Sequence, residues 1–355
     1  MKKYLLIILI FLDACVLSQK KDSDTTEISV VAEGDSWFSY SWIGYKFSPD
    51  LIDVLDEKKY PHKFEKTKYV SYKILDLAHA GDELSAMVGK GEFDEKVKKK
   101  TPEILIFSGG GNDILDKENL ESILKSEDKK CLDKSNLDCY INKEVFESRL
   151  LVLKNYLKII ADRTRGNIFI NKEKFDKHFL EKHFETVPLF IHGYDYIIPR
   201  EKTNACPNLE RLKFIFNGLN CTWVHPVLIK KGITDIQLQK KITSCLIDKY
   251  NDMLYDLSVD NEYLFKIHYV DLRSTLTTES DWKDEIHPNG KSFEKLAEKF
   301  HSKITTTIDV ILANRVNLTQ AIKSEKTKAK YNHSSCITLS YENDILEKPS
   351  KNAMK

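Results

Sequence analysis

Short apolar runs alternate with longer stretches of helical spacing along most of the chain. Residues 28–33 form a short run with β-branched positions and read as a strand that leads straight into Gly34-Asp35-Ser36-Trp37. Ser48-Pro49-Asp50 then has the form of a helix start, with a Ser cap and Pro in the first turn, followed by an apolar face of Leu51, Ile52, Val54 and Leu55. A second strand is predicted over 69–78, ending at Ala80-Gly81-Asp82, and a helix over 83–100 in which Gly89 and Gly91 are candidate breaks. Residues 103–107 are unusually apolar, as a buried parallel strand should be, and run into Ser108-Gly109-Gly110-Gly111-Asn112-Asp113. Residues 117–142 are polar, carry two cysteines and read as an insertion at the edge of the functional face. Phe146, Leu150, Leu153 and Leu157 mark a long helix over 143–165. A fourth strand over 187–191 leads to His192-Gly193-Tyr194-Asp195-Tyr196, and 204–232 is irregular. A helix over 234–258, a fifth strand over 265–272 and a closing helix over 288–312 complete the pattern; Asp284-Glu285-Ile286-His287 precedes the last of these.

Strands that alternate with helices imply parallel β-α-β units, so the expected fold class is α/β: a three-layer α/β/α sandwich with a central parallel sheet. No internal repeat is visible. The expected organisation is a leader and tether over 1–26, one domain over 27–312 and a polar, Lys-rich tail over 313–355.

The N-terminus departs from the rest. Met1-Lys2-Lys3 is basic and 4–12 is apolar, the layout of an export signal. That run is short for a membrane-spanning helix. Leu12-Asp13-Ala14-Cys15 looks like a bacterial lipobox in which Cys15 is acylated, although Asp13 stands where a small or apolar residue is usual. The expectation is an exported chain, periplasmic, lipid-anchored in an outer membrane or secreted. Any membrane association would run through that N-terminal anchor; a plain signal peptide with an incidental cysteine is the alternative. Six further cysteines remain, an even number consistent with disulfides. Cys131–Cys139 and Cys206–Cys221 are candidate local staples, while Cys245 and Cys336 pair with each other or stay free. No Cys-x-x-Cys or His-x-x-x-His spacing points to zinc, and no metal or organic cofactor is implied. With a formal net charge of +1 and Lys dispersed among Asp and Glu, nothing favours a nucleic-acid partner.

Ligands of open parallel sheets collect at the carboxyl ends of strands. Three strand ends and the segment before the last helix carry reactive side chains there, so Ser36, Gly81, Asn112 and His287 are expected to converge. A serine hydroxyl needs a base to become a nucleophile, and His287 can supply one. Asp284, three residues earlier, can hold the imidazole in the required tautomer. The N–H groups of Ser36 and Gly81 and the amide of Asn112 are candidate donors to a tetrahedral oxyanion. Each piece has a plainer reading: Gly-Asp-Ser as a simple turn, the three glycines as a flexible turn, Asp-x-x-His as a helix cap with Pro288 following. It is their order and placement that point to one site.

Gly34-Asp35-Ser36-Trp37 resembles the Gly-Asp-Ser-Leu block of the SGNH, or GDSL-type, serine hydrolases. Gly81 falls where that family's second-block glycine is expected, Gly110-Gly111-Asn112-Asp113 is similar to its Gly-x-Asn-Asp block, and Asp284-Glu285-Ile286-His287 to its Asp-x-x-His block. The resemblance extends to a bacterial subgroup whose first block is Gly-Asp-Ser-Trp-Phe. It implies a flavodoxin-like α/β/α fold and hydrolysis of a carboxylic ester, either a lipid or short-chain acyl ester or an O-acetyl group on a polysaccharide. The substrate would be a small molecule or glycan. A non-catalytic surface-binding lipoprotein that retains the fold is the rival expectation.

Other residues carry two readings each. Trp37, with Phe38, Tyr40 and Trp42, forms either core or an aromatic substrate wall. His192, Tyr194 and Asp195 line the pocket or make a structural turn. Asp35 bonds nearby backbone, His79 packs, His225-Pro226 packs or touches substrate, and Lys98-Lys99-Lys100 is a solvated helix end.

Overall fold

A computed structural model of the protein describes residues 24–42, 45–46, 49–62, 67–127, 133, 136–164, 187–201, 222–264 and 266–312. The expected leader with Cys15, the C-terminal tail, and Cys131, Cys206, Cys221 and Cys336 lie outside these residues. Cys139 and Cys245 each stand in a disulfide, and neither expected staple falls wholly within the described residues.

In chain order the elements are β1 (Thr25–Glu33), β2 (Ser41–Trp42), β3 (Tyr45–Lys46), α1 (Leu51–Glu57), β4 (Tyr60–Pro61), β5 (Tyr69–Asp76), α2 (Leu84–Lys90), α3 (Glu92–Lys100), β6 (Ile104–Phe107), α4 (Gly111–Leu115), α5 (Lys117–Ile123), α6 (Lys143–Arg163), β7 (Leu189–His192), α7 (His225–Lys230), α8 (Ile236–Val259), β8 (Ile267–Val270) and α9 (Gly290–Leu312). The main sheet has the order β4-β5-β1-β6-β7-β8, with β2 and β3 paired separately. All neighbours in it run parallel except β4, which lies antiparallel on the edge of β5. Numbered by their own succession, the parallel strands lie 2-1-3-4-5, the flavodoxin-like order, whose switch point falls between β1 and β6. Every residue of β6, β7 and β8 is buried, because helices cover both faces of the sheet. Helices α1 and α9 pack together in one layer, and α2, α6 and α8 form the other. The expected three-layer architecture is the one observed.

Register matters more to the site than strand length. Val30 to Glu33 pair in step with Ile104 to Phe107, so β1 and β6 end level and their exit loops leave side by side. Phe107 is in turn level with Ile191 of β7.

Several expectations are corrected. The helix expected over 83–100 is two helices split at Gly91, where φ is +64°; Gly89 stays helical. The cap of α1 is Asp50 rather than Ser48: its carboxylate accepts from the N–H groups of Ile52 and Asp53, and Asp53 returns the bond in a capping box. The supposed insertion over 117–142 contributes to the core. It contains α5, whose Leu120 and Ile123 are fully buried, and a bridge between Leu124 and Ile141. Its charged residues occupy the outer face of an amphipathic helix, which hides the inner one from a compositional reading. The segment read as irregular includes α7, with Pro226 in its first turn and Val227 and Leu228 in the core. The first strand begins at Thr25, two residues inside the expected tether. The two-residue edge strand β4 is too short to leave a periodic signal, and Pro61 suits an edge position.

Candidate active site

Ser36 sits in a tight turn that follows β1. The N–H groups of Phe38 and Ser39 both reach back to the Asp35 carbonyl, at 3.0 and 3.1 Å, and the Trp37 N–H donates to Asp35 Oδ1. The turn lifts Ser36 to partial exposure between buried neighbours. His287 comes from the segment before α9, with its Nε2 2.8 Å from Ser36 Oγ and its Nδ1 2.7 Å from Asp284 Oδ2. A carboxylate only accepts, so Nδ1 carries the proton and Nε2 is left to accept from the serine hydroxyl. Asp284 is fully engaged: Oδ1 accepts from the N–H groups of Ile286 and His287, and Oδ2 also accepts from the Tyr40 hydroxyl at 3.2 Å. Burial opposes its charge, but His287 and these donors outweigh that and hold the carboxyl below its ordinary range.

Two of the three candidate oxyanion donors, Ser36 and Gly81, occupy loops, and Asn112 lies in the first turn of α4, which follows β6. The loop after β5 is tied to the loop after β1 by His79 N–H donating to the Gly34 carbonyl at 2.9 Å. It is tied to α4 by Asn112 Nδ2 donating to the Asp82 carbonyl at 3.0 Å. Gly81 lies between those ties with φ +87°, a conformation that side-chain-bearing residues rarely adopt. Among the described residues, the N–H groups of Ser36 and Gly81 donate to no partner, and the Asn112 amide has a second N–H beyond the one it uses on Asp82.

The triple glycine is a close-packing requirement rather than a flexible turn. A Cβ on Gly109 would collide with Leu84, on Gly110 with Tyr250, and on Gly111 with Tyr194. The Tyr250 hydroxyl donates to the Gly109 carbonyl, and Gly111 N–H donates to the Tyr194 hydroxyl at 3.0 Å. Buried Asp35 gathers the same loops, accepting from Ser108 Oγ at 2.8 Å and from the Tyr194 hydroxyl. One carboxylate thereby joins the exits of β1, β6 and β7.

Two further carboxyls near these loops are perturbed. Glu33, at the end of β1, is pushed up to about 8 by burial, with the fields of Glu92 and Asp82 adding to it. Asp113 is raised to about 6, again by burial first, although its Oδ2 accepts from Leu84 N–H.

The four residues given pocket-lining readings are all buried. Trp37 is 3% exposed and packs among Tyr194, Trp282 and Phe293. His192 is buried against Trp37 and Phe38, and burial lowers its basicity. Tyr194 is inside the Asp35 network. Asp195 is fully buried and accepts from the N–H groups of Ser274, Thr275 and Leu276, tying the exit of β7 to that of β8. These side chains face the core because the chain still packs between strand end and surface. His79, expected to pack, is exposed. His225 does pack, with Nδ1 2.8 Å from Gln239 Oε1.

Sequence reasoning missed four residues around His287 and placed a fifth, Tyr40, only in an aromatic cluster. The Tyr40 ring lies 4.4 Å from the imidazole, and the Lys283 ammonium sits 4.2 Å from the centre of that ring. Trp223 meets the imidazole edge-on at 6.2 Å. Glu285, fully buried, accepts from the N–H groups of Arg200, Trp223, Val224 and His225, while the Arg200 guanidinium donates to the Asp284 carbonyl at 3.1 Å. The one available signal was a second acidic residue inside Asp284-Glu285-Ile286-His287. Nothing in the sequence says which loops it holds.

Among the described residues no cluster of His, Cys, Asp or Glu is arranged to hold a metal ion, and no helix is long and apolar enough to cross a membrane.

No family model matches the chain, and no curated protein matches it. Solved structures similar to it include a lipase from a goat rumen metagenome, 15% identical with TM-score 0.43, covering 78% of this chain and 97% of that one. TesA is 12% identical with TM-score 0.39, covering 79% and 99%. Axe2, an acetylxylan esterase from Geobacillus stearothermophilus, is 11% identical with TM-score 0.37, covering 78% and 94%.

Proposed function

We propose that the protein is an exported serine hydrolase of carboxylic esters, related to the SGNH hydrolases its motifs resemble. The observation that carries this reading is the unbroken relay from Ser36 Oγ through both nitrogens of His287 to Asp284 Oδ2, at 2.8 and 2.7 Å. In this mechanism Ser36 Oγ attacks the ester carbonyl carbon while His287 Nε2 takes its proton. The carbonyl oxygen becomes an oxyanion held by the Ser36 and Gly81 N–H groups and the Asn112 amide. Collapse breaks the bond to the alcohol oxygen, which leaves with the proton from His287, and the acyl group stays on Ser36. Water, deprotonated by the same His287, then attacks the acyl-enzyme; the acid leaves and Ser36 regains its proton. Asp284 fixes the tautomer and stabilises the imidazolium. The chain's own residues supply every group in this sequence. Export through the N-terminal signal, with lipid attachment at Cys15, is part of the same proposal.

The test is turnover of p-nitrophenyl esters from acetate upward by the wild type and by Ser36→Ala and His287→Ala. The expected result is hydrolysis by the wild type, with loss of nearly all turnover in both variants and labelling of Ser36 by a fluorophosphonate. A folded wild type that neither turns over an ester nor takes the label would overturn the reading in favour of a binding protein that keeps the fold.

A further inference from the structure

We propose that Trp223 is a stacking platform for the sugar ring of a carbohydrate ester, with Glu285 as the positioning residue that holds it beside His287. The inference rests on the ester-hydrolase reading and deepens it by naming the substrate class.

Trp223 is 46% exposed, while Trp37 and Trp282 are buried. The other large apolar side chains exposed among the described residues lie elsewhere: Tyr69 at the start of β5, Leu151, Val152 and Ile159 along α6, and Ile229 on α7. Trp223 alone among them touches the relay, its ring 6.2 Å from that of His287 at an angle of 82°. An exposed indole next to the reacting atoms sits where a substrate must pass.

Its exposure is built rather than incidental. Glu285 is buried, and among the described residues its carboxylate has no cationic partner. Its Oε2 accepts from the N–H groups of Trp223 and Val224, and its Oε1 from those of His225 and Arg200. Burying a charge is costly unless it is well bonded. Here the charge fixes the backbone of the Trp223 segment to the strip that carries Asp284 and His287. The indole therefore has a set position relative to the base.

The surroundings select a sugar over an alkyl chain. Also beside His287 is the Tyr40 ring, 4.4 Å from the imidazole, with the Lys283 ammonium over it. The Tyr40 hydroxyl points to Asp284. An alkyl chain is held by a continuous aliphatic trough. A pyranose has flat C–H faces that stack on one indole and a rim of hydroxyls that suits polar groups nearby. The bond cleaved is the ester to a sugar hydroxyl. That oxygen leaves with the proton from His287, and the acyl group is transferred first to Ser36 and then to water.

The experiment compares kcat/KM for three esters: p-nitrophenyl acetate, p-nitrophenyl octanoate and an acetylated methyl glucopyranoside. They are measured on the wild type, Trp223→Phe, Trp223→Leu and Trp223→Ala, with melting curves to certify folding. The expected result is a tenfold or greater fall in the ratio of glycoside to p-nitrophenyl acetate efficiency for Ala and Leu, driven by KM, with Phe retaining most of it. Leu restoring the glycoside ratio, or octanoate suffering as much as the glycoside, would overturn the sugar platform while leaving the hydrolase reading intact. A wild type inactive on all three esters would bring down the hydrolase reading itself, and this inference with it.

Discussion

The indole nitrogen of Trp37 donates to the carbonyl of Ile286 at 3.0 Å, joining the residue after the candidate nucleophile to the residue before the candidate base across 249 positions of sequence. Neither residue performs chemistry, yet the bond sets the distance between the two loops that must. Trp37→Phe keeps an aromatic ring in the core and removes only the donor. A buried hydrogen bond contributes about 1 kcal/mol, and leaving the Ile286 carbonyl unpaired costs somewhat more. The expected outcome is a melting temperature lower by a few degrees and kcat reduced about tenfold, with KM nearly unchanged. An equal loss in KM would mean that the indole sits against the substrate after all.

Asp284 is the member of the relay with the most bonds and the least exposure to substrate. Asp284→Asn keeps the shape but favours the wrong imidazole tautomer, and kcat should fall roughly a thousand- to ten-thousand-fold. The pH dependence of stability gives an independent check. The folded carboxyl titrates below its ordinary value, so its contribution is full above that value and is lost as pH falls through the folded one. Acid melts of the wild type should therefore show an added loss at the low end that Asp284→Asn lacks.

Glu33 predicts the opposite limb. Its carboxyl, ordinarily near 4.5, is raised to about 8 by burial and by Glu92 and Asp82. Between those values the native state holds a proton that the unfolded chain has released, so stability falls as pH rises from about 4.5 to about 8 and levels off above. Glu33→Gln removes that penalty. At pH 4 the variant should match the wild type. At pH 8.5 it should be more stable by on the order of a few kcal/mol in urea titrations, because one pKa unit corresponds to about 1.4 kcal/mol. A difference that does not grow with pH would show that Glu33 is ionised in the native state.

The parts of this fold that were legible in the sequence are those with a one-dimensional signature. Ile104 to Phe107 read as a strand buried on both faces, Ser36 and Asn112 could be placed after strand ends because that is where the apolar runs stop, and His287 could be placed in the segment before the last helix. The relay geometry then followed from topology, since level strand ends bring distant residues together. What was not legible was direction. Trp37, His192, Tyr194 and Asp195 sit at strand ends too, but a strand end has an inner and an outer side, and the sequence does not say which a side chain takes. Trp223 is the mirror case: it lies in a stretch without periodicity, and only the carboxylate of Glu285, 62 residues away, puts it at the site. Helix α5 was masked for a different reason, because its outward charges outnumber Leu120 and Ile123 in any compositional count.

Asp195 offers the sharpest separation of a structural role from a binding one. It is fully buried; Oδ1 accepts from the N–H groups of Tyr196 and Ser274, at 2.8 and 2.7 Å, and Oδ2 from those of Thr275 and Leu276, at 2.9 and 2.6 Å. Ser274 is held at φ +56°, a strained conformation for a serine that the carboxylate helps to impose. Asp195→Ala strands these donors, and the cost should be roughly 2–4 kcal/mol. Asp195→Asn should recover little of it, because its NH2 group faces N–H groups where an acceptor is needed. Both variants, assayed well below their melting temperatures, should keep a KM for p-nitrophenyl esters close to that of the wild type. If KM rises while the melting curve stays put, Asp195 belongs to the substrate pocket. If the melting curve drops while KM holds, its work is to lock the β7 and β8 exits together.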